Sequence, residues 1–378
     1  MKIVVIGLGV IGLSAAVELA RRGHQVAGVE RYEIGHPLGS STGASRSIRS
    51  AYALPEYVRL SVQAIDAWHD LEQAEGRTIL HLTGQIDLGA ASVLDPMRAA
   101  MRAVGVAHED IDGDGVRARF PELRSAPDEV AVFHPGAGTV LADQGMAALR
   151  AAAERAGVEI ACGEAVTGLD ERGNGVRVIS DRGVRDADLA VLATGPWAGE
   201  LLGALGLDLP LAPALAQVTF FDWPGMVGRP ALSDWEAFPD GTGGYGHPVP
   251  GVGYKLGFDA AGTQPWRADA EGWEADPAEF GALVEWMRGR FPGLEPAVIR
   301  TQRHPWTMTP DGDWVIDRVG SVLLACGCSG HAFKFGPALG ALVADAAEDR
   351  PRDDRRLFVL DRPGLREPAP APSIPINR

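Results

Sequence analysis

The chain opens with Lys2-Ile3-Val4-Val5-Ile6-Gly7-Leu8-Gly9-Val10-Ile11-Gly12, and this stretch decides the fold. The β-branched run at 2–6 predicts a buried parallel strand, and the glycine motif G-x-G-x-x-G follows it directly. Residues 13–22 are rich in Ala, Leu and Arg, which favours a helix that ends at Gly23, and 25–30 predicts a second strand. This order of strand, glycine motif, helix and strand is typical of a dinucleotide-binding βαβ unit.

Each part of the motif has a physical purpose. Gly7 permits the tight turn, Gly9 lets the backbone approach a pyrophosphate, and Gly12 lets the helix pack closely on the strand. The first N–H groups of the helix, around Val10 and Ile11, are available to phosphate oxygens. Glu30 lies eighteen residues beyond Gly12 and can accept both hydroxyls of an adenosine ribose. An acidic residue there favours FAD or NAD over NADP, whose 2′-phosphate it repels.

The composition limits the class of protein. A length of 378 residues allows two domains with sizeable cores, and the 46% of apolar residues is typical of a soluble globular α/β protein. The net charge of −15 disfavours nucleic acid or an anionic membrane as a partner, although it allows an anionic small substrate in a locally positive cleft. Three cysteines without metal-ligand spacing predict neither a disulfide framework nor a metal site. With no signal peptide or membrane span recognisable, we expect a cytoplasmic protein.

The nucleotide-binding fold is predicted to be interrupted. A hairpin at 176–187 and a strand at 189–193 lead into the tight turn Thr194-Gly195-Pro196-Trp197, and a strand at 322–325 enters Gly327-Cys328-Ser329-Gly330-His331. The stretches between these pieces carry more Pro, Trp and alternating strands. We therefore expect an α/β fold (α+β overall) whose Rossmann-type domain comprises 1–80, 142–212 and 313–362, interleaved with a sheet-rich substrate domain of 81–141 and 213–312. The proline-rich segment 363–378 is expected to be a mobile tail.

Four further stretches carry a resemblance that spans nearly the whole chain. They are Gly39-Ser40-Ser41-Thr42-Gly43-Ala44-Ser45-Arg46-Ser47-Ile48-Arg49-Ser50-Ala51-Tyr52, then Gly253-Tyr254-Lys255-Leu256-Gly257, then 307–317, and finally Gly327-Cys328-Ser329-Gly330-His331-Ala332-Phe333-Lys334-Phe335. Together with the N-terminal motif they resemble the family of monomeric sarcosine oxidase and N-methyltryptophan oxidase, among the DAO-type FAD-dependent amine oxidoreductases. The last stretch is the most specific.

The resemblance implies a function. Its members have a glutathione-reductase-like FAD domain and oxidise secondary amines, often N-methyl or cyclic amino acids, to imines. Electrons then pass to dioxygen, which becomes hydrogen peroxide. For this chain the resemblance therefore implies FAD, an amino-acid substrate and dioxygen as partners, and a monomer.

The resemblance also assigns roles to residues. Arg49 and Lys334 match the cations that hold the substrate carboxylate, Lys255 matches the lysine over the flavin ring that assists dioxygen, and Arg46 supports that region. His331 would lie near the flavin or the substrate, although a lone histidine is equally compatible with a structural role. Tyr245 would form part of the pocket wall. The residues expected to contact FAD are Gly7, Gly9, Val10, Ile11, Gly12, Glu30, Arg31, Ser40, Ser41, Thr42, Arg46, Val166, Gly195, Trp197, His304, Gly327, Gly330, His331, Phe333 and Lys334.

Three departures from the family pattern bear on chemistry. His304 stands where the family has the cysteine that attaches the flavin, which favours noncovalent FAD, although histidine also forms such links in other flavoenzymes. Trp306 replaces a substrate-site tyrosine and Asp259 replaces a histidine, and both changes argue against sarcosine as the substrate. Asp259 is equally compatible with a solvated strand end.

Several alternatives stay open at this point. Within the class, the protein could be a flavin dehydrogenase that reduces a carrier instead of dioxygen, or a relative of glycine and D-amino-acid oxidases that acts on a primary amine. Outside it, the alternatives are an NAD-dependent dehydrogenase and a non-enzymatic flavin-binding or regulatory protein. Lys255 favours an oxidase, and the later glycine-rich segments favour FAD over NAD.

Overall fold

A computed structural model describes residues 1–126, 128–238, 242–258, 266–267 and 273–366. Within these residues the strands, in chain order, are β1 (Lys2–Ile6), β2 (Gln25–Glu30), β3 (Ser45–Ile48), β4 (Leu80–His81), β5 (Gln85–Leu88), β6 (Glu109–Asp112), β7 (Val130–His134), β8 (Gly138–Leu141), β9 (Glu159–Cys162), β10 (Val166–Arg172), β11 (Gly175–Ser180), β12 (Gly183–Ala187), β13 (Leu189–Leu192), β14 (Ala212–Asp222), β15 (Ala231–Asp234), β16 (Gly244–Val249), β17 (Gly253–Phe258), β18 (Ala297–Met308), β19 (Val315–Val319) and β20 (Val322–Cys326).

The α-helices of the same residues are α1 (Val10–Arg21), α2 (Pro55–Glu75), α3 (Ala91–Val104), α4 (Gly113–Arg119), α5 (Ala142–Arg155), α6 (Ala198–Leu202), α7 (Pro277–Arg290) and α8 (Gly336–Ala347). Short 3-10 helices lie at Gly195–Trp197, Gly203–Leu205, Pro224–Met226, Phe333–Phe335, Asp353–Leu357 and Pro363–Arg366.

A six-stranded sheet in the order β19-β20-β13-β1-β2-β9 confirms the predicted nucleotide-binding unit. Strand β1 pairs in parallel with β2 on one side and with β13 on the other, so the strand order reverses at β1. Ligands of such sheets bind beyond the carboxyl end of the strands at this reversal. Helix α1 packs on the sheet together with α5 and α8.

Two glycines make this packing possible. A Cβ atom on Gly12 would lie 1.8 Å from the carbonyl oxygen of Gly7, so a larger residue would push α1 away from β1. Gly7 has a φ of +88°, and its own Cβ would lie 2.5 Å from the carbonyl oxygen of Ala193 at the end of β13. The backbone therefore shows both the tight turn predicted at Gly7 and the close helix packing predicted at Gly12.

An eight-stranded sheet, in the order β18-β14-β17-β16-β15-β5-β7-β6, is built from strands between residues 85 and 308. Its pairings are antiparallel except for β5 with β15. One face packs against α7 through an apolar cluster that includes Leu232, Leu256, Leu283 and Trp286. The opposite face is turned toward β3 and the 3-10 helix Phe333–Phe335, and it lines a cavity described below.

The prediction of a mobile tail over 363–378 was wrong for its first residues. Pro363–Arg366 forms a 3-10 helix, and Leu365 is buried against the second apolar cluster of the nucleotide-binding region. The side chain of Leu365 lies among apolar neighbours and anchors this turn, although the proline-rich composition pointed to a tail. Residues 367–378 lie outside the described part of the chain.

Candidate active site

A cavity lies at the carboxyl end of β1, where the strand order reverses. Glu30, at the end of β2, is fixed there because its carboxylate accepts hydrogen bonds from the backbone N–H groups of Leu8 at 2.8 Å and Tyr32 at 3.1 Å. This is the geometry expected of a carboxylate that presents its remaining lone pairs to ribose hydroxyls.

The segment between β2 and β3 forms the wall opposite the glycine motif. The Ser41 hydroxyl accepts a hydrogen bond from the N–H of Val10 at 3.0 Å, which joins this wall to the first turn of α1. Arg46 then ties the wall together, because its guanidinium donates to the carbonyl oxygens of Ser40, Thr42 and Ser45 at 2.7–2.8 Å. The guanidinium also lies 5.3 Å from the ring centre of Phe333.

Four buried polar atoms on this cavity have no hydrogen-bond partner among the described residues. They are Ser40 Oγ, His36 Nδ1, Thr194 Oγ1 and Trp197 Nε1. Buried polar groups are normally paired, so this arrangement indicates a polar ligand that supplies the partners. A dinucleotide fits a cavity that lies at the amino end of α1 and contains the carboxylate of Glu30.

A second cavity adjoins the first. The two share four wall residues, namely Arg46, Trp306, Gly330 and Phe333. One side of the second cavity is the open face of the eight-stranded sheet. Strand alternation brings to this face His304 and Trp306 from β18, Lys255 from β17, Tyr245 and His247 from β16, and Ser233 from β15.

Four cations line the second cavity, and no Asp or Glu is among its described lining residues. Lys255 Nζ donates to the carbonyl oxygen of Ser45 at 2.8 Å, so Lys255 and Arg46 converge on the same acceptor. Burial, together with the charges of Arg46 and Arg300, lowers the pKa of Lys255 well below its ordinary value.

The other two cations lie against aromatic rings. Arg49 is 4% exposed, and its guanidinium lies 4.8 Å from the ring centre of Tyr52 and 4.6 Å from that of Trp235. Lys334 Nζ donates to the hydroxyl of Tyr52 at 3.2 Å. Tyr52 therefore holds both cations beside one region of the cavity.

Three histidines of the cavity wall are kept neutral. Burial and the nearby cations lower the pKa of His247 and His304 well below the ordinary value, and they lower that of His331 to about 3. His331 Nε2 lies 3.1 Å from the carbonyl oxygen of Gly312, and its ring stacks on Trp314. His304 Nδ1 and His247 Nδ1 have no hydrogen-bond partner among the described residues.

Two aromatic residues, Trp306 and Tyr245, narrow the second cavity. The indole of Trp306 packs on Gly330, where an added Cβ atom would lie 2.8 Å from the ring. Tyr245 stacks parallel to His247, and its hydroxyl lies over the backbone of Gly257. Asp259, the third residue that distinguishes the predicted pocket, lies outside the described residues.

Most of the predicted contacts to FAD line the first cavity. Four of them do not: His304, His331 and Lys334 line the second cavity, and Gly12 lies between α1 and β1. The predicted substrate and catalytic side chains that the structure describes, Arg46, Arg49, Tyr245, Lys255, Trp306, His331 and Lys334, are brought together in the second cavity.

The polar residues of the two cavities that the sequence interpretation missed include His36, Thr194, Ser233 and His247. A signal existed for His247, because it lies two residues after Tyr245 in the same strand and therefore on the same face. Thr194 stands in a turn that was already singled out. Ser233 carries no local signal, because its exposure to the cavity depends on how distant strands pair.

The comparisons with known proteins agree with this geometry. The family model described as FAD dependent oxidoreductase (DAO) matches residues 2–346. The chain is 32% identical to monomeric sarcosine oxidase of Streptomyces avermitilis over 91% of this chain and 93% of that protein. It is 28% identical to N-methyl-L-tryptophan oxidase of Yersinia pestis, with 92% and 95% of the two chains covered.

A solved structure is similar over the same extent. NikD, described as an unusual amino acid oxidase essential for nikkomycin biosynthesis, is 27% identical with a TM-score of 0.81, and the match covers 94% of this chain and 96% of that one. No helix among the described residues has the length and apolar character needed to cross a bilayer. The structure has a dinucleotide cavity with a second, cationic cavity beside it, and the family match extends along nearly the whole sequence. This chain therefore belongs to the DAO family of FAD-dependent oxidoreductases.

Proposed function

We propose that this enzyme is an oxidase of secondary amino acids, with an N-alkyl or cyclic amine as substrate and dioxygen as the electron acceptor. The observation that carries the proposal is the second cavity, where Arg46, Arg49, Lys255 and Lys334 converge beside the cofactor cavity. FAD, when bound, would take up the hydride from the substrate carbon next to nitrogen and pass the electrons to dioxygen.

Arg49 and Lys334 are assigned to the substrate carboxylate. Both side chains are buried and both contact Tyr52, so a carboxylate between them would meet a planar guanidinium and a point charge. Because no Asp or Glu is among the described lining residues, an anion is the ligand that this cavity favours.

Lys255 is assigned to dioxygen. Its ammonium group is buried, held by the Ser45 carbonyl, and enclosed in a wall of the second cavity. A preorganised positive charge in a water-excluded site stabilises negative charge that develops on dioxygen as it is reduced. Arg46, bonded to the same carbonyl, adds to the positive potential.

Trp306 and Tyr245 are assigned to the wall that selects the amine substituent. A flat indole can stack on a ring or pack against an N-alkyl chain. The relatives named for sarcosine and N-methyltryptophan support a secondary amine.

FAD is proposed to be bound noncovalently. The support is that His304, and not a cysteine, stands at the attachment position suggested by the family resemblance. We further propose that 1–80, 142–212 and 313–362 form the FAD-binding domain and that 81–141 and 213–312 form the substrate domain. A monomer in the cytoplasm is part of the same proposal, and the three free cysteines fit a reducing compartment.

A panel of amines tests the proposed function. Purified holoenzyme is given sarcosine, proline, pipecolate, N-methyltryptophan, glycine and D-alanine, and hydrogen peroxide is measured beside the reduction of an artificial electron acceptor. We expect peroxide from secondary amines. Reduction of the dye without peroxide would indicate a dehydrogenase, and activity confined to glycine or D-alanine would indicate a primary-amine oxidase.

The carboxylate assignment has its own test. Arg49→Ala should raise the apparent dissociation constant of the substrate about 10- to 200-fold, because a charge-assisted contact of ~1.5–3 kcal/mol is lost. FAD content should not change. Arg172→Ala removes an exposed arginine that pairs with Asp170, and it serves as the matched control. Unaltered substrate binding in Arg49→Ala would contradict the assignment.

A further inference from the structure

Ser233 turns toward the second cavity from the middle of strand β15. Its neighbours in the strand face the other way, since Leu232 packs in the apolar cluster under α7 and Asp234 accepts hydrogen bonds from Trp286 and Arg290. Side chains alternate along a strand, so Ser233 faces the cavity that it lines.

Beside Ser233, on the same face of the sheet, lies a buried polar group of three residues on β5 and β7, namely Gln85, Asp87 and His134, which we call the backing cluster. Each is at most 1% exposed. The side-chain amide nitrogen of Gln85 donates to Asp87 Oδ1 at 2.9 Å and to Ser233 Oγ at 3.1 Å. His134 Nε2 lies 3.3 Å from Asp87 Oδ2.

The backing cluster determines which way the Ser233 hydroxyl donates. The amide nitrogen of Gln85 donates to both Asp87 and Ser233, so Gln85 presents its NH₂ group and not its oxygen to this pair. Both hydrogens of that NH₂ group are then used, one on Asp87 and one on Ser233. Because Ser233 Oγ already accepts, its own hydrogen is left to donate, and among the described residues it has no acceptor.

Ser233 shares the second cavity with the two cations assigned to the substrate carboxylate. Trp235 follows Ser233 by two residues, and the guanidinium of Arg49 lies 4.6 Å from its ring centre. Ser233, Arg49 and Lys334 all line the second cavity. A hydroxyl donor in the same cavity as two cations is suited to an anionic oxygen.

We propose that Ser233 is a third ligand of the substrate carboxylate, and that Gln85 and Asp87 are positioning residues that hold its hydroxyl as a donor. This inference rests on the proposed function, since it assumes that an amino-acid carboxylate enters this cavity.

The probe is tetrahydrofuran-2-carboxylate, in which a ring oxygen replaces the nitrogen of proline and prevents oxidation. Its dissociation constant is measured by titrating holoenzyme and following the absorption of the flavin. Ser233→Ala should weaken binding about 10- to 100-fold, because one hydrogen bond to a charged group is lost. Ser61→Ala removes a buried hydroxyl outside both cavities and should leave the dissociation constant unchanged.

Asp87→Asn tests the direction of the hydroxyl without touching the cavity. An asparagine amide can donate to Gln85, which allows the Gln85 side chain to reverse and present its oxygen to Ser233. Ser233 would then donate to Gln85 and turn its lone pairs toward the carboxylate. We expect a loss comparable to that of Ser233→Ala, and no further loss when Asp87→Asn is added to Ser233→Ala.

The outcomes separate this inference from the proposed function. If Ser233→Ala binds the probe as tightly as wild type while Arg49→Ala does not, Ser233 is no ligand and the proposed function stands. Additive losses in the double variant would overturn the positioning role of Asp87. If wild-type holoenzyme fails to bind the probe and no amino acid yields peroxide, the proposed function falls and this inference falls with it. Thermal melting of each holoenzyme variant checks that a lost affinity is not a lost fold.

Discussion

The pKa of the buried Lys255 depends on the residues that surround its ammonium group. Its Nζ lies 5.7 Å from the ring centre of Phe220, and Arg300 lies 4.2 Å from the same ring on the neighbouring strand. The strand pairing places Phe220 directly opposite both residues. The lowered pKa of Lys255 means that its charge is lost at a lower pH than that of an ordinary lysine.

Lys255→Met should therefore slow the oxidative half-reaction about 100- to 1000-fold, because a preorganised charge is typically worth ~3–4 kcal/mol. Reduction by substrate should change much less, and stopped-flow measurement separates the two half-reactions. In the wild type the oxidative half-reaction should slow as pH rises through the pKa of Lys255. Lys2→Met removes an exposed lysine as the control. Equal reoxidation rates in both variants would show that Lys255 does not assist dioxygen.

His331 should make the protein sensitive to acid. Its pKa is lowered from 6.5 to about 3, so the unfolded chain binds a proton between these values and the folded protein does not. Stability is therefore fully present above about pH 6.5 and is lost as pH falls toward 3. At pH 5 the loss amounts to about 2 kcal/mol for one such histidine.

Urea unfolding of holoenzyme at pH 7 and pH 5 measures this effect. His331→Asn should show a smaller decrease in the free energy of unfolding between the two pH values, whatever its stability at pH 7. His69→Asn, at an exposed position of α2, is the control. An identical pH dependence in wild type and His331→Asn would mean that His331 is protonated in the folded protein.

At the scale of elements, the cofactor cavity depends on the close packing of α1 against β1. A Cβ atom on Gly12 would lie 1.8 Å from Gly7 O, and the clash is with backbone that cannot rotate away. Gly12→Ala should displace α1, with overpacking that costs ~1–3 kcal/mol and a loss of FAD affinity. Helix α7 offers a control, because a Cβ atom added to Gly281 would meet nothing within 4 Å, and Gly281→Ala should be neutral or stabilising. FAD content and thermal melting measure both variants, and full FAD occupancy in Gly12→Ala would refute the packing argument.

At the scale of the whole molecule, we expect substrate choice to depend on how the two cavities meet. Trp306 lines both cavities and packs on Gly330, so its indole lies where they adjoin. We expect a cyclic or larger N-substituted amino acid to outperform sarcosine, because the indole can stack on a ring or a cationic amine. This preference is tested by measuring the catalytic efficiency for sarcosine, proline, pipecolate and N-methyltryptophan. A clear preference for sarcosine would show that the interpretation of Trp306 is wrong.

The attachment of FAD is also a property of the assembled molecule. His304 is 7% exposed and lies in the second cavity, where burial and the charges of Arg46 and Lys255 lower its pKa. We expect acid precipitation to release the flavin into the supernatant, where its absorption is measured. Flavin that remains in the protein pellet would indicate a histidyl link.

The sequence by itself determined the nucleotide-binding unit, because each of its signals is local. A strand, a glycine turn and a helix within thirty residues predict their own geometry, and β1, α1 and β2 lie where the pattern placed them. The family resemblance named Arg49, Lys255 and Lys334, and the structure brings these three side chains into one cavity.

Only the tertiary structure decided what surrounds these residues. Ser233 meets Gln85 across 148 positions of sequence, and Lys255 meets Ser45 across 210. Such contacts follow from the register of strands that are distant in the chain, and a shift of one residue would turn each side chain to the opposite face. Local patterns carry no information about that register, which is why the donors and the neutral histidines of the cavity became visible only in the folded protein.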